Sequence, residues 1–360
     1  MWVCYFGSYD RNYSRNRILI KGLRRNNVNV FECNDLSEFW TRWPKLIFNF
    51  MKFMKNNKHY FSSLIVGAAK HSDVFPGKLL KFIYQNKFNL VFDVFISAYD
   101  TAVMDRKLVK PDSIKAKYYY MLDKLSCGLA DIVIVDTKQH LKYFNKEFGI
   151  PRNKIKVIYV GSDNDFFYPR KIRKPTRNNK LKIYFYGTFI PLHGIEYIVE
   201  AANILKNENI EFYMIGKGQT YNYILSLVKK LELKNVKFLG TVKYEKLPIF
   251  LSQADICLGI FGSSDKAKRV IPNKVFDALA MKKPIITADT PAIREVLRNK
   301  KNVLLCEPAN PYALADAILE LKYDCELRRR IAVSGYRTYI NNFTPEILGA
   351  KLKEILYEFT

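Results

Sequence analysis

The sequence has 360 residues, 49% of them hydrophobic and 26% charged, a balance that excludes an intrinsically disordered chain. This length suits about two domains of ordinary size. The formal net charge of +25 favours anionic partners, such as nucleic acid, acidic lipid headgroups or phosphorylated substrates. The cations are spread over both halves, and no zinc finger or RNP strand is present, so we expect no specific nucleic-acid partner.

The N-terminus and the cysteines indicate a cytoplasmic protein. The first apolar run begins at Trp2 without the basic leader of a signal peptide, and no apolar run approaches the roughly 18 residues of a membrane span. None of the six cysteines forms a C-x-x-C pair, which favours reduced thiols over disulfides or a metal site. We therefore expect a cytoplasmic chain without a bound metal.

Short apolar runs alternate with longer amphipathic runs along the whole chain. In the first half, they predict strands over 2–6, 28–32, 63–67, 90–97, 131–136 and 154–160, with helices over 15–25, 78–85, 114–130 and 138–148. In the second half, they predict strands over 182–186, 211–215, 236–239, 255–260, 284–287 and 302–306. The helices predicted there cover 195–205, 221–231, 244–252, 274–281, 291–297, 311–331 and 345–359.

Continuous apolar strands separated by helices are typical of parallel sheets covered on both faces. The sequence therefore predicts an α/β protein with two Rossmann-like, doubly wound domains, 1–168 and 181–342. The segment 169–180, which follows Tyr168, is polar and basic and contains two prolines, so it predicts a linker between the two domains. Residues 343–360 predict a C-terminal helix that packs back on the first domain. Doubly wound sheets bind ligands beyond the carboxyl ends of their strands, so two facing domains predict an interdomain cleft.

The first strand of each half ends in a glycine-containing turn before a helix. In the first half, the turn holds Gly7 and Ser8, which fit a phosphate site and a simple tight turn equally well. In the second half, the residues able to face a diphosphate are Gly187, Thr188, His193 and Gly194. His193 is also suited to cap the helix that follows. Lys217, between two glycines after the next strand, suits a phosphate contact or a solvated turn.

The stretch 263–287 combines cations, a helix start and one carboxylate. Its candidate donor-binding and catalytic cations are Lys266, Arg269 and Lys274. Pro272 and Asn273 open the helix, since proline suits a first turn and asparagine caps helices well. Asp277 is expected on the next exposed turn, where a carboxylate can accept hydrogen bonds from ribose hydroxyls. The alternative is a capped helix with a solvated basic face.

These motifs, in this order, resemble glycosyltransferase family 4, the retaining group with the GT-B fold. The matching pieces are LADIVIVDTKQHLKYF, KIKVIYVGSDNDFFYP, YGTFIPLHGIEYIVEAANIL, FYMIGKG, VKFLGTVKYEKLPIFLSQADICLGIF and IPNKVFDALAMKKPIITADTPAIREVL. The resemblance covers most of the chain and is strongest over 181–305. It implies transfer of a sugar from a nucleotide diphosphate, UDP- or GDP-linked, to an acceptor hydroxyl. The transfer would retain anomeric configuration and need no metal or other cofactor, with cations and amides stabilising the departing diphosphate.

The sequence departs from the family pattern at three places. The usual Arg and Lys of the first loop of the second domain are replaced by Thr188 or Phe189 and by His193. The first of two family glutamates is Arg269, and the second is Asp277. The catalytic histidine of the family's first domain is not evident. Our catalytic candidates are therefore Asp100, His71, Arg269 and Lys274.

Residues 42–58 form a basic, aromatic, amphipathic pattern with five cations and no acid. One helical face would carry Trp43, Leu46, Ile47, Phe50, Phe53 and Met54. That face could lie on an anionic membrane or pack on the sheet of the first domain. The membrane interpretation predicts a peripheral protein with a lipid-linked or cell-envelope glycan acceptor.

Three other functions remain open from the sequence. One is a nucleotide-sugar epimerase or hydrolase on the same fold. Another is a catalytically inactive nucleotide-sugar-binding homologue, which the missing glutamate and cations favour. The third is a nucleic-acid binder, which only the net charge supports.

Overall fold

The computed structural model describes residues 1–56, 61–170 and 180–358. The chain divides into two compact units, one formed by Met1–Gly161 with Thr344–Thr360 and the other by Ser162–Phe343. The division precedes the predicted linker 169–180, of which residues 171–179 lie outside the described part of the chain.

The first unit is built on a six-stranded parallel sheet in the order β2-β1-β3-β4-β5-β6. Its strands are β1 Trp2–Gly7, β2 Asn29–Asn34, β3 Ser63–Val66, β4 Asn89–Phe95, β5 Ile132–Val135 and β6 Ile155–Val157. Its first helices are α1 Ser14–Arg25, α2 Phe39–Asn56, α3 Val74–Ile83, α4 Ile114–Leu129 and α5 Lys138–Phe148. Alternate strand residues enter two separate core clusters, so both faces of this sheet are covered.

The second unit repeats this design with the strand order β12-β11-β10-β7-β8-β9, again all parallel. Its strands are β7 Leu181–Tyr186, β8 Ile210–Ile215, β9 Val236–Phe238, β10 Ile256–Leu258, β11 Ile285–Ala288 and β12 Leu304–Cys306. Its helices are α6 Ile195–Ile204, α7 Tyr221–Lys230, α8 Leu247–Ser252, α9 Asn273–Ala280, α10 Pro311–Tyr323 and α11 Cys325–Asn342. In this order, β7 and β10 lie at the centre of the sheet, and their carboxyl ends lead into the loops of the predicted site.

Three predicted helices of the second unit differ from the structure. The predicted helix 311–331 is two helices, because Asp324 ends α10 and caps α11 by accepting a hydrogen bond from Leu327 N at 2.7 Å. The predicted helix 291–297 is only a 3-10 turn over Ile293–Glu295. The predicted helix 244–252 begins as a 3-10 turn, Tyr244–Lys246, before α8.

The last helix, α12 Pro345–Tyr357, packs on α1 within the first unit. The two helices meet at a pair of glycines, and a Cβ placed on Gly349 would lie 2.0 Å from the carbonyl carbon of Gly22. Only glycine permits this approach, which buries Leu348 and Leu352 against Ile18 and its neighbours.

Helix α2 contains most of the amphipathic segment 42–58, whose residues 57–58 lie outside the described part. The apolar face of α2, one of whose two predicted partners was a membrane, is part of the protein core. Leu46 and Phe50 are buried, and Ile47 and Phe53 pack beside them. The sheet needs a cover at this position, and these side chains supply it.

All six cysteines are free thiols, and only Cys325 is exposed. Within the described ranges, no helix combines the length and the hydropathy needed to cross a bilayer.

Candidate functional site

Two glycine turns meet at the carboxyl ends of β7 and β8. Gly187 follows β7 with φ 148°, and Gly216 follows β8 with φ 127°. A Cβ on Gly216 would lie 2.0 Å from the carbonyl oxygen of Gly187, so the two backbones touch. Gly187 N donates to Ile215 O at 2.9 Å, which joins the turns further. The predicted donor loops therefore form one continuous backbone surface.

Lys274 lies against this surface from the first turn of α9. Its side chain is 4% exposed, and its Nζ lies 4.3 Å from the centroid of the Phe185 ring. A Cβ on Gly187 would lie 2.9 Å from Nζ. No hydrogen bond reaches Nζ from any residue that the structure describes. Burial lowers the pKa of Lys274 well below its ordinary value, so an arriving anion would restore the charge of this amine.

His193 shares the Gly187 turn with Lys274. It ends a 3-10 turn, Pro191–His193, and Gly194 with φ 60° then starts α6. The His193 ring lies 5.8 Å from the Phe185 ring, and its Cε1 would lie 3.1 Å from a Cβ on Gly187. The structure thus brings together three predicted donor-binding residues, Gly187, His193 and Lys274.

Thr188 and three candidate cations of the second unit, Lys217, Lys266 and Arg269, belong to nearby loops. Thr188 and Lys217 are exposed, and the Lys217 ammonium lies 5.7 Å from the Tyr221 ring. Lys266 is buried and Arg269 is half-buried in the turn before α9, where Arg269 N donates to Lys266 O at 2.9 Å. Phe189 N donates to Lys217 O at 3.0 Å, so the Lys217 loop lies beside the loop of Gly187, whereas Lys274 contacts Gly187 itself.

The start of α9 differs from the predicted asparagine cap. Pro272 holds the cap position and makes no side-chain cap hydrogen bond, while Asn273 is the first helical residue. Pro272 therefore supplies only a backbone acceptor to the first turn, since its carbonyl accepts a hydrogen bond from Val275 N at 2.9 Å. The amides of Asn273 and Lys274 precede the first internal hydrogen bond of the helix. Such amides favour an anion at this end of the helix.

Asp277 is buried, contrary to the predicted exposed turn, with only 2% of its surface accessible. Its carboxylate accepts hydrogen bonds from Ser162 Oγ and from the Tyr186 hydroxyl. Burial and the Asp277 charge raise the pKa of Tyr186 well above its ordinary value, so this phenol stays a donor. Tyr339 donates to Ser162 O at 2.9 Å, which extends the network to α11. Asp277 therefore joins three segments of the second unit beside the donor loop.

In the first unit, a carboxylate occupies the predicted phosphate turn at Gly7 and Ser8. Asp73 Oδ2 accepts hydrogen bonds from Ser8 N and from Ser8 Oγ, each at 2.7 Å. Arg42 lies 3.1 Å from the other carboxylate oxygen. The amide that we predicted to bind phosphate is already bound to an anionic side chain, which opposes a second anion there.

The two catalytic candidates of the first unit are linked by a residue that the sequence reasoning missed. His71 Nε2 lies 2.8 Å from Asp123 Oδ1. The same buried carboxylate accepts hydrogen bonds from Ser97 Oγ and Tyr99 N, at 2.7 and 2.8 Å. Asp100 follows as the first residue of a π-helix, Asp100–Asp105, and its N donates to Ser97 Oγ at 2.9 Å. Asp123 therefore holds His71 and the loop of Asp100 together; its position among core-facing residues of α4 was the available signal.

A second missed feature is the ion pair of Arg15 and Asp93, both wholly inaccessible to solvent. Arg15 Nε and Nη2 donate to the two Asp93 oxygens at 2.9 and 3.0 Å, and Nη1 donates to Ile158 O at 2.6 Å. Although burial opposes the charge, Asp93 raises the pKa of Arg15. The pair lies beside Phe95, whose φ of 53° marks the strained end of β4. An aspartate inside the apolar run NLVFDVF was the sequence signal.

The second unit contains a segment that matches a known protein family. Residues 168–338 match the family described as Glycosyl transferases group 1. An uncharacterized glycosyltransferase of Methanocaldococcus jannaschii is 25% identical over 228 residues, which are 63% of this chain and 59% of that protein. The chitobiosyldiphosphodolichol beta-mannosyltransferase of Candida albicans is 26% identical over 205 residues, which are 52% of this chain and 44% of that protein. The chain thus matches less than two thirds of the length of these relatives.

A solved structure shares the architecture of the whole chain. The Anabaena protein HepE, in complex with UDP-glucose, matches 99% of this chain and 100% of its own, with a TM-score of 0.71 and 15% identity. At this identity the likeness concerns the fold alone. The two-domain α/β fold of GT-B type that the sequence predicts is confirmed.

Proposed function

We propose that this protein is a glycosyltransferase that moves a sugar from a nucleotide diphosphate to an acceptor hydroxyl. The observation that carries the proposal is the buried Lys274, whose Nζ has no hydrogen-bond partner among the described residues and faces the Gly187 turn. Uncompensated buried amines are costly, which favours a site whose ligand supplies the missing negative charge. The match to group 1 glycosyl transferases over 168–338 supports a sugar-linked diphosphate as that ligand.

The proposed chemistry uses Lys274 and His193 at the leaving group. As the bond from the anomeric carbon to the β-phosphate oxygen breaks, its electron pair passes to the diphosphate. Lys274, the α9 amides and His193 stabilise that charge where it develops. The acceptor oxygen bonds to the anomeric carbon, and its proton passes to a base. Lys266, Lys217 and Arg269 contribute positive potential around the site.

For the base and acceptor side we propose His71 and Asp100 of the first unit. Asp123 Oδ1 lies 2.8 Å from His71 Nε2, close enough for this carboxylate to orient the ring in the proposed reaction. Asp123 is thus a positioning residue, while His71 and Asp100 are the groups proposed to approach the acceptor. Retention of anomeric configuration and independence from metal follow from the family resemblance, and both remain part of the proposal.

For the donor we propose a UDP- or GDP-linked sugar, with no cofactor. The Anabaena structure with the same fold holds UDP-glucose, which supports this class of donor. For the acceptor we propose a lipid-linked or cell-envelope glycan, in a cytoplasmic protein at the membrane surface. The name of the Candida relative includes a diphosphodolichol-linked sugar, which supports a lipid-linked acceptor.

A second candidate is a nucleotide-sugar-binding protein without transferase activity. Arg269 stands where an acid is usual, and Asp277 is held by Ser162 and Tyr186, which favours this candidate. An epimerase or hydrolase of nucleotide sugars would use the same donor site without a second substrate.

A thermal-shift screen with UDP-glucose, GDP-mannose, ADP-glucose and CMP-sialic acid tests the donor site. A ligand at 100 times its Kd stabilises the native state by about 2.7 kcal/mol. We expect at least one diphosphate sugar to raise Tm, and no rise with any of them would contradict the proposal. Analysis of products with and without a glycan acceptor then separates the candidates: transfer requires acceptor, hydrolysis or epimerisation does not, and an inactive homologue binds without turnover.

A further inference from the structure

Helices α2, α3 and α4 cover the same face of the first unit's sheet. Phe50 of α2, Leu80 of α3 and Cys127 of α4 all enter one core cluster with the strands. Contacts of α2 with α3, and of α3 with α4, place the three helices side by side. Their outward surfaces therefore form one continuous outer layer of the first unit, which we call the α2–α4 surface.

Large apolar side chains project from the α2–α4 surface at helical spacing. On α4, residues 114, 118, 121 and 125 share one stripe opposite the buried side of the helix. The exposed large apolar side chains of α2 are residues 40, 48 and 51, and those of α3 are residues 79, 82 and 83. The most exposed of these side chains are Trp40 at 84%, Phe82 at 77% and Ile114 at 87%.

The charge of the α2–α4 surface has one sign. The three helices contain a single acidic residue, Asp123, and it is wholly buried. Exposed lysines flank the apolar stripes on α2 and α4; they are Lys45, Lys52, Lys55, Lys115, Lys117 and Lys124. A layer that exposes aromatic and aliphatic side chains among lysines, and no acids, complements an interface that is apolar beneath an anionic surface.

Among the other helices that the structure describes, none shows this combination. Helices α1 and α12, on the other sheet face, expose one large apolar side chain within their described residues, Tyr357. In the second unit, exposed apolar residues are spread one or two to a helix, as with Ile249 of α8 and Tyr312 of α10. Scattered residues of that kind are normal, whereas a contiguous apolar layer indicates a partner.

We propose that the α2–α4 surface docks on a bilayer that contains anionic lipid. This inference rests on the proposed lipid-linked acceptor for its place in the reaction. The residues differ from the amphipathic face expected from the sequence, since that face is in the core and the membrane contacts come from three helices. A second copy of the chain is a poor occupant, because pairing this surface with itself would set lysines against lysines.

Vesicle co-sedimentation tests the proposal with the full chain. We expect binding to vesicles of phosphatidylcholine with phosphatidylglycerol, little binding to phosphatidylcholine alone, and weakening by salt. The triple variant Phe48→Ser, Phe82→Ser and Ile114→Ser should bind at least about tenfold more weakly. Replacing Lys52, Lys117 and Lys124 by Gln should weaken binding about fivefold for each lysine at low salt.

Matched variants of the second unit serve as controls. Tyr223→Ser, Ile249→Ser and Tyr312→Ser together remove comparable exposed apolar side chains, and binding should be unchanged. Absence of sedimentation with any vesicle would overturn the proposal, as would equal losses in the test and control variants. Self-association or RNA binding that the Phe48, Phe82 and Ile114 variant abolishes would assign the surface to another partner. Tm shifts with donor, measured without vesicles, report separately on the donor site.

Discussion

The glycine turn after the first strand is similar in the two units, but an acidic side chain lies against it in the first unit and a basic side chain in the second. Gly7 ends β1 and Gly187 follows β7, the first strand of each parallel sheet in chain order, with φ values of 117° and 148°. A Cβ on either glycine would lie 2.9 Å from an ionisable side-chain atom. At Gly7 this atom is Asp73 Oδ2, whereas at Gly187 it is Lys274 Nζ. The side chain that faces a glycine turn, more than the turn itself, therefore decides whether the turn can receive an anion.

Removal of Asp73 is expected to give the largest effect on stability. Asp73→Ala leaves Arg42 without its buried partner and deprives Ser8 N of its acceptor. Breaking such a pair costs about 3–5 kcal/mol of unfolding free energy, measured by urea denaturation. The exposed Asp112→Ala is the control and should change stability by less than about 0.5 kcal/mol. Equal effects of the two variants would show that the turn at Gly7 does not depend on its carboxylate.

Removal of Lys274 should abolish the anion preference of the Gly187 turn. Lys274→Met is expected to weaken binding of UDP and GDP by about 100-fold in calorimetry, since a buried charge-assisted contact is lost. The control Lys217→Met removes an exposed cation of the neighbouring loop and should cost at most about fivefold. Stability should not fall in Lys274→Met, because the variant removes an uncompensated buried amine. Unchanged affinity would remove Lys274 from the donor site.

The same lysine sets a pH dependence with a defined sign. Burial lowers the pKa of Lys274 in the folded state, so below the ordinary lysine value of about 10.4 the unfolded chain binds more protons. The stability of the ligand-free protein relative to Lys274→Met should rise with pH in that range, by at most about 1.4 kcal/mol per pH unit. Affinity for UDP or GDP should fall over the same range, because the anion binds the protonated amine. Parallel pH curves for both proteins would contradict this assignment.

Replacement of Asp277 sharpens the comparison by testing a second buried carboxylate, and its expected effect on stability is smaller than that of Asp73. Asp277→Asn weakens its hydrogen bonds with Ser162 and Tyr186 and should lower stability by about 1.5–3 kcal/mol. A double-mutant cycle with Tyr186→Phe should show a coupling of at least about 0.5 kcal/mol. The ribose-binding role expected from the sequence predicts the reverse, namely weaker UDP binding with stability unchanged.

Local patterns were enough to predict the layered fold. Each of the twelve strands in the described part of the chain has an apolar run in the sequence, and α5 has the same limits in the structure as in the prediction. The errors arise where one polar side chain redirects the chain, as Asp324 does between α10 and α11. The amphipathic pattern of α2 was correct, but periodicity cannot tell whether an apolar face meets a sheet or a membrane.

The candidate site was harder to predict because its chemistry depends on pairs far apart in sequence. Gly187 and His193 were selected from the turn after a strand and Lys274 from the cations at a helix start, and the structure brings the three together. Pairings such as Asp73 with Ser8 and Asp123 with His71 join residues on different elements. The sequence of a turn after a strand does not show which distant side chain lies against it. Gly7 and Gly187 therefore gave the same prediction of a phosphate-binding turn.

The position of α12 has a consequence for how the protein is made. Its buried side chains Leu348, Leu352 and Leu356 belong to the core cluster of the first unit, although the whole second unit precedes them in the chain. A ribosome translates about 5–20 residues each second, and domains tend to fold as they emerge. The surface of α1 around Gly22 therefore stays uncovered until the second unit has been synthesised. The final stability of the first unit depends on a helix that is translated after the whole second unit.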